Sequence, residues 1–142
     1  DWRQPMTTLP IGQGEQLKDG SDVAILTIGP IASEATKAIE KAAAEGISVA
    51  HYDMIFLKPI DETILRHVAE SGMPIITVED AAIKGGLGST VIEWLSDNGF
   101  NNKVTRIGIP DQFVPQGTIE QLRHLAKMDA EAIYSAVKKS LS

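Results

Sequence analysis

The sequence contains no cysteine and only three histidines. Without thiols the chain cannot form disulfides, use a thiolate nucleophile or bind a metal through sulfur. The histidines, His51, His67 and His124, lie far apart, and no two of them stand at the spacing of a metal-ligand pair. We therefore expect them to have packing or surface roles, and we expect no metal site.

Basic residues are also scarce, because 13 lysines and arginines stand against 19 acidic residues and give a net charge of −6. Such a chain has no electrostatic attraction for a nucleic-acid backbone or an anionic membrane. No apolar run reaches transmembrane length, and residues 1–9 lack the basic flank and apolar stretch of a signal peptide. We expect a cytoplasmic protein with neither nucleic-acid nor membrane partners.

Hydrophobic residues make up 43% of the 142 positions, which suffices for the core of one domain. Apolar runs typical of buried strands alternate with amphipathic helical patterns. The predicted strands are 23–28, 47–52, 74–79 and 103–109. The first predicted helix is 31–45. Four further helices are predicted, one after Asp61, one before Gly99, one after Thr118 and one after Asp129. This alternation predicts a three-layer α/β/α sandwich with a mainly parallel sheet.

Residues 1–20 lack periodicity and are interrupted by prolines and glycines, so we interpret them as a linker that leads into an edge strand. Residues 21–142 then form the α/β domain. Three helix starts carry recognisable caps. Asp61 and Asp129 are predicted N-caps, and Thr118 with Gln121 is a predicted capping box.

The first candidate site is the segment 79–89, which leads from a strand into a helix. In open parallel sheets, sites form outside the carboxyl ends of the strands. The adjacent carboxylates Glu79 and Asp80 stand where a general acid or base can act, but no nucleophile or partner base accompanies them. The alternative is a solvated or interface role, with hydrogen bonds to neighbouring loop amides.

The same segment contains Gly85, Gly86, Gly88 and Ser89. Free amides at the helix start could bind a small anion, with Lys84 nearby. However, the spacing matches neither the G-x-x-x-x-G-K-[ST] phosphate loop nor the G-x-G-x-x-G dinucleotide motif. A tight turn with close helix–sheet approach, or a subunit contact, is the better-supported interpretation.

The second candidate site is the loop 107–117, which two prolines stiffen. Its aromatic residue, Phe113, is predicted to be either an exposed or interfacial side chain or a lid on the core. The candidate interface residues of this loop are Pro110, Asp111, Phe113, Gln116 and Gly117.

These loops carry a resemblance to a known family. The segments 53–61 and 79–89 are similar to the wider transketolase superfamily, which includes the beta subunits of 2-oxoacid dehydrogenases. The stretch Gly-Ile-Pro-Asp-Gln-Phe-Val-Pro-Gln-Gly at 108–117 resembles the carboxyl-terminal domain of the 1-deoxy-D-xylulose-5-phosphate synthase family. The likeness runs from Leu9 to Leu141. It implies a five-stranded mixed sheet with one antiparallel strand, and a role in architecture and the dimer.

The resemblance also implies that the whole enzyme uses thiamine diphosphate and magnesium to condense pyruvate with glyceraldehyde 3-phosphate on the route to isoprenoids, thiamine and pyridoxal. In this family the other domains hold the cofactor, through a Gly-Asp-Gly motif, and supply the activating glutamate. No Gly-Asp-Gly occurs in this chain. We therefore expect no cofactor, no metal and no catalytic residue here. The expected partners are the remaining domains of the same enzyme, in a homodimer.

Two other functions remain open at this point. The chain can be the corresponding domain of a transketolase or of a 2-oxoacid dehydrogenase beta subunit, where its surface docks a partner protein. It can also be a free-standing small-anion-binding module that uses Gly85 to Ser89.

Overall fold

The computed structural model describes Arg3 and residues 8–142 of the chain. Within these residues, strands and helices alternate as the sequence predicts. The strands are β1 (Glu15–Lys18), β2 (Val23–Ile28), β3 (Val49–Asp53), β4 (Ile75–Ala82) and β5 (Val104–Ile109). The helices are α1 (Ala32–Ala44), α2 (Glu62–Glu70), α3 (Leu87–Asp97), α4 (Ile119–Leu125) and α5 (Ala130–Ser140).

The strands form one sheet in the order β1-β3-β2-β4-β5. β1 runs antiparallel to β3, and the other neighbours are parallel. Parallel neighbours need crossovers, and the helices between the strands supply them. The predicted α/β fold with a five-stranded mixed sheet is therefore confirmed.

Each face of the sheet is covered by its own hydrophobic core. β2 supplies both cores, because its side chains alternate across the sheet: Val23 and Ile25 belong to the core with α1 and α5, and Ala24 and Leu26 to the core with α2 and α3. All four of these residues are fully buried. Burial on both faces explains why β2 is a continuous apolar run rather than an alternating one.

The predicted helix caps are confirmed. Asp61 accepts hydrogen bonds from the amides of Thr63 and Ile64 at the start of α2, and Asp129 accepts one from Ala132 in α5. Thr118 and Gln121 form both bonds of the capping box at α4. Because these caps use only nearby residues, the sequence alone was sufficient to predict them.

One boundary differs from the prediction in a way that affects the first candidate site. β4 continues to Ala82, three residues beyond the predicted end at Glu79, since Ala82 pairs with Ile109 of β5 after a shift in register beyond Val78. Glu79 therefore lies inside the strand, where its environment is set by the sheet and by α3.

β1 lies at the edge of the sheet, within the segment interpreted as a linker and edge strand. Asp1, Trp2 and residues 4–7 of that segment lie outside the described residues. The domain boundary between residues 20 and 21 stays a prediction.

Candidate functional site

Glu79 is a buried carboxylate that closes the amino terminus of α3. Its side chain is 1% exposed. Its Oε2 accepts a hydrogen bond of 2.7 Å from the amide of Leu87, and its Oε1 accepts one of 3.0 Å from the amide of Gly88. A negative charge here also interacts favourably with the helix dipole. The expected bonds to loop amides are present, but the predicted solvated environment of Glu79 is wrong.

Three of the amides proposed as an anion site have partners within the chain. Leu87 and Gly88 donate to Glu79, and Gly85 donates to the hydroxyl of Ser89 over 2.9 Å. Lys84, the expected cationic neighbour, forms an ion pair of 3.0 Å with Asp111 of the second loop. The prediction that the amides are free is therefore wrong for Gly85, Leu87 and Gly88, and an anion at Leu87 and Gly88 would have to displace a buried carboxylate.

Glycine is required at two positions of this segment by close packing. A Cβ on Gly86 would lie 1.7 Å from Oε2 of Glu79, and a Cβ on Gly88 would lie 2.6 Å from Oγ1 of Thr77. Neither distance is sterically possible without movement of the neighbour. The predicted close approach of helix and sheet is thus confirmed at these two glycines.

Asp80, the second carboxylate, connects the sheet to α4. Its Oδ2 lies 3.0 Å from Nη2 of Arg123, whose side chain is largely buried. Since Asp80 and Glu79 alternate across the strand, they point to opposite faces of the sheet. The two carboxylates are therefore held in separate environments and do not act on one site. Sequence analysis missed Arg123, because nothing local to residue 123 indicates its partner 43 residues away.

The second loop and α4 expose their apolar side chains. Phe113 is fully exposed, so its prediction as a lid on the core is wrong. α4 has no fully buried residue, although Leu122 and Arg123 are half-buried. Ile119 and Leu125 of this helix are 68% and 60% exposed. We call the exposed apolar side chains Phe113, Val114, Ile119 and Leu125 the α4 surface.

A groove of about 430 Å³ lies beside the α4 surface. Val114, Ile119 and Leu122 line it from the loop and α4, and the Asp80–Arg123 ion pair lies at its margin. Gln116 is exposed. A Cβ on Gly117 would contact Oε1 of Gln121 at 3.2 Å, so this glycine belongs to the packing of the capping box. The structure thus separates the candidate residues into a packed α3 start and an open apolar surface.

The histidines have structural partners. The ring of His51 is buried, with Nε2 at 3.1 Å from Oγ1 of Thr27, and burial lowers the pKa of His51. His67 lies edge-on to Tyr52, and Nδ1 of His124 is 2.6 Å from Asp129. Across the described part of the chain, no three histidine or acidic side chains are grouped to hold a metal ion. No helix among the described residues is long and apolar enough to cross a membrane.

Comparison with known families and proteins assigns the fold and its relatives. The family model for the transketolase C-terminal domain matches residues 12–133. The 1-deoxy-D-xylulose-5-phosphate synthase of Bacteroides fragilis is 50% identical over 141 residues, which are 99% of this chain and 22% of that protein. The enzyme of the same name from Parabacteroides distasonis is 52% identical over 139 residues, covering 98% of this chain and 22% of that protein.

Two solved structures show the same architecture. A structure titled as a split gene transketolase, inactive beta4 tetramer, superposes with a TM-score of 0.88 at 34% identity, covering 95% of this chain and 44% of that one. A transketolase from Pichia stipitis superposes with a TM-score of 0.65 at 19% identity, covering 92% of this chain and 18% of that one, and at this identity it supports the fold alone. The chain spans about a fifth of the length of the curated relatives named above.

Proposed function

The chain belongs to the transketolase C-terminal domain family, and from this premise we propose that it is the carboxyl-terminal assembly domain of a 1-deoxy-D-xylulose-5-phosphate synthase. Relatives that are 50% and 52% identical over nearly the whole chain bear that name, which favours the synthase over a transketolase or a 2-oxoacid dehydrogenase beta subunit. The complete enzyme would condense pyruvate with glyceraldehyde 3-phosphate, with loss of carbon dioxide, for isoprenoid and thiamine biosynthesis.

The cofactor implied by this proposal does not fit the residues of the chain. Thiamine diphosphate needs a magnesium site and donors for its diphosphate, whereas the described residues group no acidic or histidine ligands for a metal. The amides of Leu87 and Gly88 are already bound by the carboxylate of Glu79. We therefore assign cofactor binding and catalysis to the remaining polypeptide, and we expect this domain to be inactive alone.

The observation that carries the assembly role is the exposure of the α4 surface. A helix of seven residues has little stability of its own, and in globular proteins packing normally supplies what is missing. α4 contributes no fully buried residue to its own domain, where only Leu122 and Arg123 are half-buried, and the adjacent Phe113 is fully exposed. Clustered exposed apolar side chains of this kind mark an interface. We assign the α4 surface to contact with the rest of the enzyme in its homodimer.

Substitution of Ile119 in the complete polypeptide tests this assignment. Ile119→Asp places a charge in the α4 surface and should weaken the dimer, since burying an isoleucine side chain contributes about 1.5 to 3 kcal/mol. Light scattering coupled to gel filtration would follow the oligomeric state at decreasing protein concentration. Ile92→Asp is the matched control, because Ile92 is also a helical isoleucine, is 41% exposed and lies on α3.

An unchanged dimer in Ile119→Asp, or an equal loss in Ile92→Asp, would contradict the assembly role of the α4 surface. The absence of cofactor binding is tested separately by calorimetry of the 142-residue chain with thiamine diphosphate and magnesium. We expect no heat of binding. Stoichiometric binding would contradict the assignment of cofactor binding to the remaining polypeptide.

A further inference from the structure

A second groove runs along the outer edge of the sheet, beside β5 and α5. Its volume is about 570 Å³, within the range of roughly 300 to 1,000 Å³ that is typical of small-molecule sites. Among the described residues, four cationic residues and no acidic residue line it, although the whole chain is acidic. The four, which we call the groove cations, are Lys103, Arg106, Lys127 and Lys139.

The groove cations are not neutralised by neighbouring carboxylates. The ion pairs among the described residues involve Lys37, Lys41, Lys84, Arg123, His124 and Lys138, so none of the groove cations takes part in one. Arg106 does donate to the carbonyl of Ile83 and the hydroxyl of Ser89, but these neutral acceptors leave its charge in place. Because the guanidinium of Arg106 is directed to α3, the charges available to the groove are those of the three lysines, which attract an anion.

The backbone of β5 adds hydrogen-bond donors to the groove. β5 is the last strand of the sheet and pairs only with β4. The carbonyls of Lys103 and Ile109 bond towards β4. Because backbone groups alternate between the two sides of a strand, the amides of Val104, Arg106 and Gly108 point to the open edge. Arg106 and Gly108 line the groove accordingly.

Lys127 is held in an unusual backbone conformation at the margin of the groove. Its φ is +56°, in the left-handed region, and its amide bonds to the carbonyl of His124 at the end of α4. Glycine or asparagine is usual at such a position, because a Cβ there costs about 1 kcal/mol. A lysine at this position therefore costs the folded chain some stability, but it adds a positive charge to the lining of the groove.

The rest of the groove lining favours an organic phosphate over inorganic phosphate. Ile107, Ala132 and Ala136 form an apolar floor between the cations, and the hydroxyl groups of Thr105 and Ser135 add neutral donors. We propose that this groove binds a small organic phosphate, with the phosphoryl oxygens on Lys103, Lys127 and Lys139 and the open β5 amides, and the carbon skeleton on the apolar floor. All of these groups lie within this chain, so binding does not depend on the assembly role.

Titration of the isotopically labelled 142-residue chain with inorganic pyrophosphate tests the site by amide NMR. Saturable shifts should appear at Val104, Arg106, Gly108, Lys127 and Lys139, and should weaken as salt is added. Shifts confined to Gly85–Ser89, or no saturable shift at millimolar pyrophosphate, would overturn the proposal.

Single substitutions separate binding from stability. Lys127→Gly removes a charge and relieves the left-handed strain, so the variant should be at least as stable as the parent while its affinity for pyrophosphate falls about three- to tenfold. Lys139→Gln should weaken binding to a similar extent. Lys18→Gln, in β1 at the opposite edge of the sheet, is the control and should bind as the parent does.

The alternative role of these lysines is to protect an open strand edge from aggregation. If Lys127→Gly and Lys139→Gln bind pyrophosphate as the parent does, or lose solubility without losing affinity, that role suffices and the proposal is wrong.

ATP and ribose 5-phosphate distinguish a nucleotide from a sugar phosphate. Tighter binding of either one than of pyrophosphate supports an organic phosphate, and binding of neither above pyrophosphate excludes a role for the apolar floor.

Discussion

The carboxylate of Glu79 lies 2.7 Å from the backbone nitrogen of Leu87, so a buried acidic side chain of the sheet holds the first residue of α3. The second carboxylate oxygen accepts from Gly88. This pair of bonds fixes α3 to β4 through the glycine-rich segment. The glycine-rich segment, whose amides look available for a ligand in the sequence, therefore has a structural role.

Glu79→Ala should lower the free energy of unfolding by about 2 to 4 kcal/mol, because two buried amides lose charged acceptors. Urea denaturation followed by circular dichroism would measure the change. Glu93→Ala is a suitable control, since Glu93 is an exposed residue of the same helix. Equal stabilities of the two variants would contradict the structural role of Glu79.

Gly86→Ala should be more destabilising than Gly85→Ala, although the two residues are adjacent. An alanine at 86 would place its Cβ 1.7 Å from Glu79, which must move and lose its bonds, at a cost of about 2 to 4 kcal/mol. Gly85 has open space around it but a φ of +79°, so alanine there costs about 1 kcal/mol of backbone strain alone. Thermal unfolding of both variants gives the order, and the reverse order would be inconsistent with the packing described.

Asp61→Ala should cost about 1 to 2 kcal/mol, because Asp61 accepts from Thr63 and Ile64 in its own helix and also from Gly14, 47 residues earlier. Asp61→Asn keeps one acceptor oxygen and should retain about half of this stability. Hydrogen exchange would show faster exchange at Gly14 in Asp61→Ala. Unchanged exchange there would show that the bond to Gly14 contributes nothing.

The stability of the chain should fall as the pH is lowered below about 6.5, the ordinary pKa of histidine. Burial lowers the pKa of His51, the positive charge of Lys18 acts in the same direction, and Asp53 partly opposes both. The unfolded state therefore binds a proton at a pH where the folded state does not, and stability is lost as the pH falls from 6.5 to the pKa of the folded state. Denaturant titrations at several pH values should show this slope, and His51→Gln should reduce it.

Much of the fold could be predicted because its determinants are local. The continuous apolar run of β2 and the caps at Asp61, Thr118 and Asp129 each depend on residues within a few positions of one another. The end of β4 could not be predicted in the same way, since its extension depends on pairing with Ile109 of β5. Strand ends set by a neighbouring strand leave no periodic signal in their own segment.

The candidate sites were harder to predict for the same reason. Helical spacing groups Ile119 with Leu125 but does not reveal whether anything in the chain covers them, and the structure leaves both exposed. The groove cations Lys103, Lys127 and Lys139 are far apart in sequence and come together only where α5 packs beside β5. No motif marks such a group, so only the tertiary structure reveals it.

The reciprocal cap at Thr118 and Gln121 has a consequence for the kinetics of subunit encounter. Because both of its bonds form within the chain, the first turn of α4 is fixed without any other polypeptide. Association through the proposed α4 surface would then require little further loss of backbone freedom in this turn, because a preformed contact does not have to fold on binding. Two side chains of this chain, Thr118 and Gln121, thus set the geometry in which α4 leaves the loop.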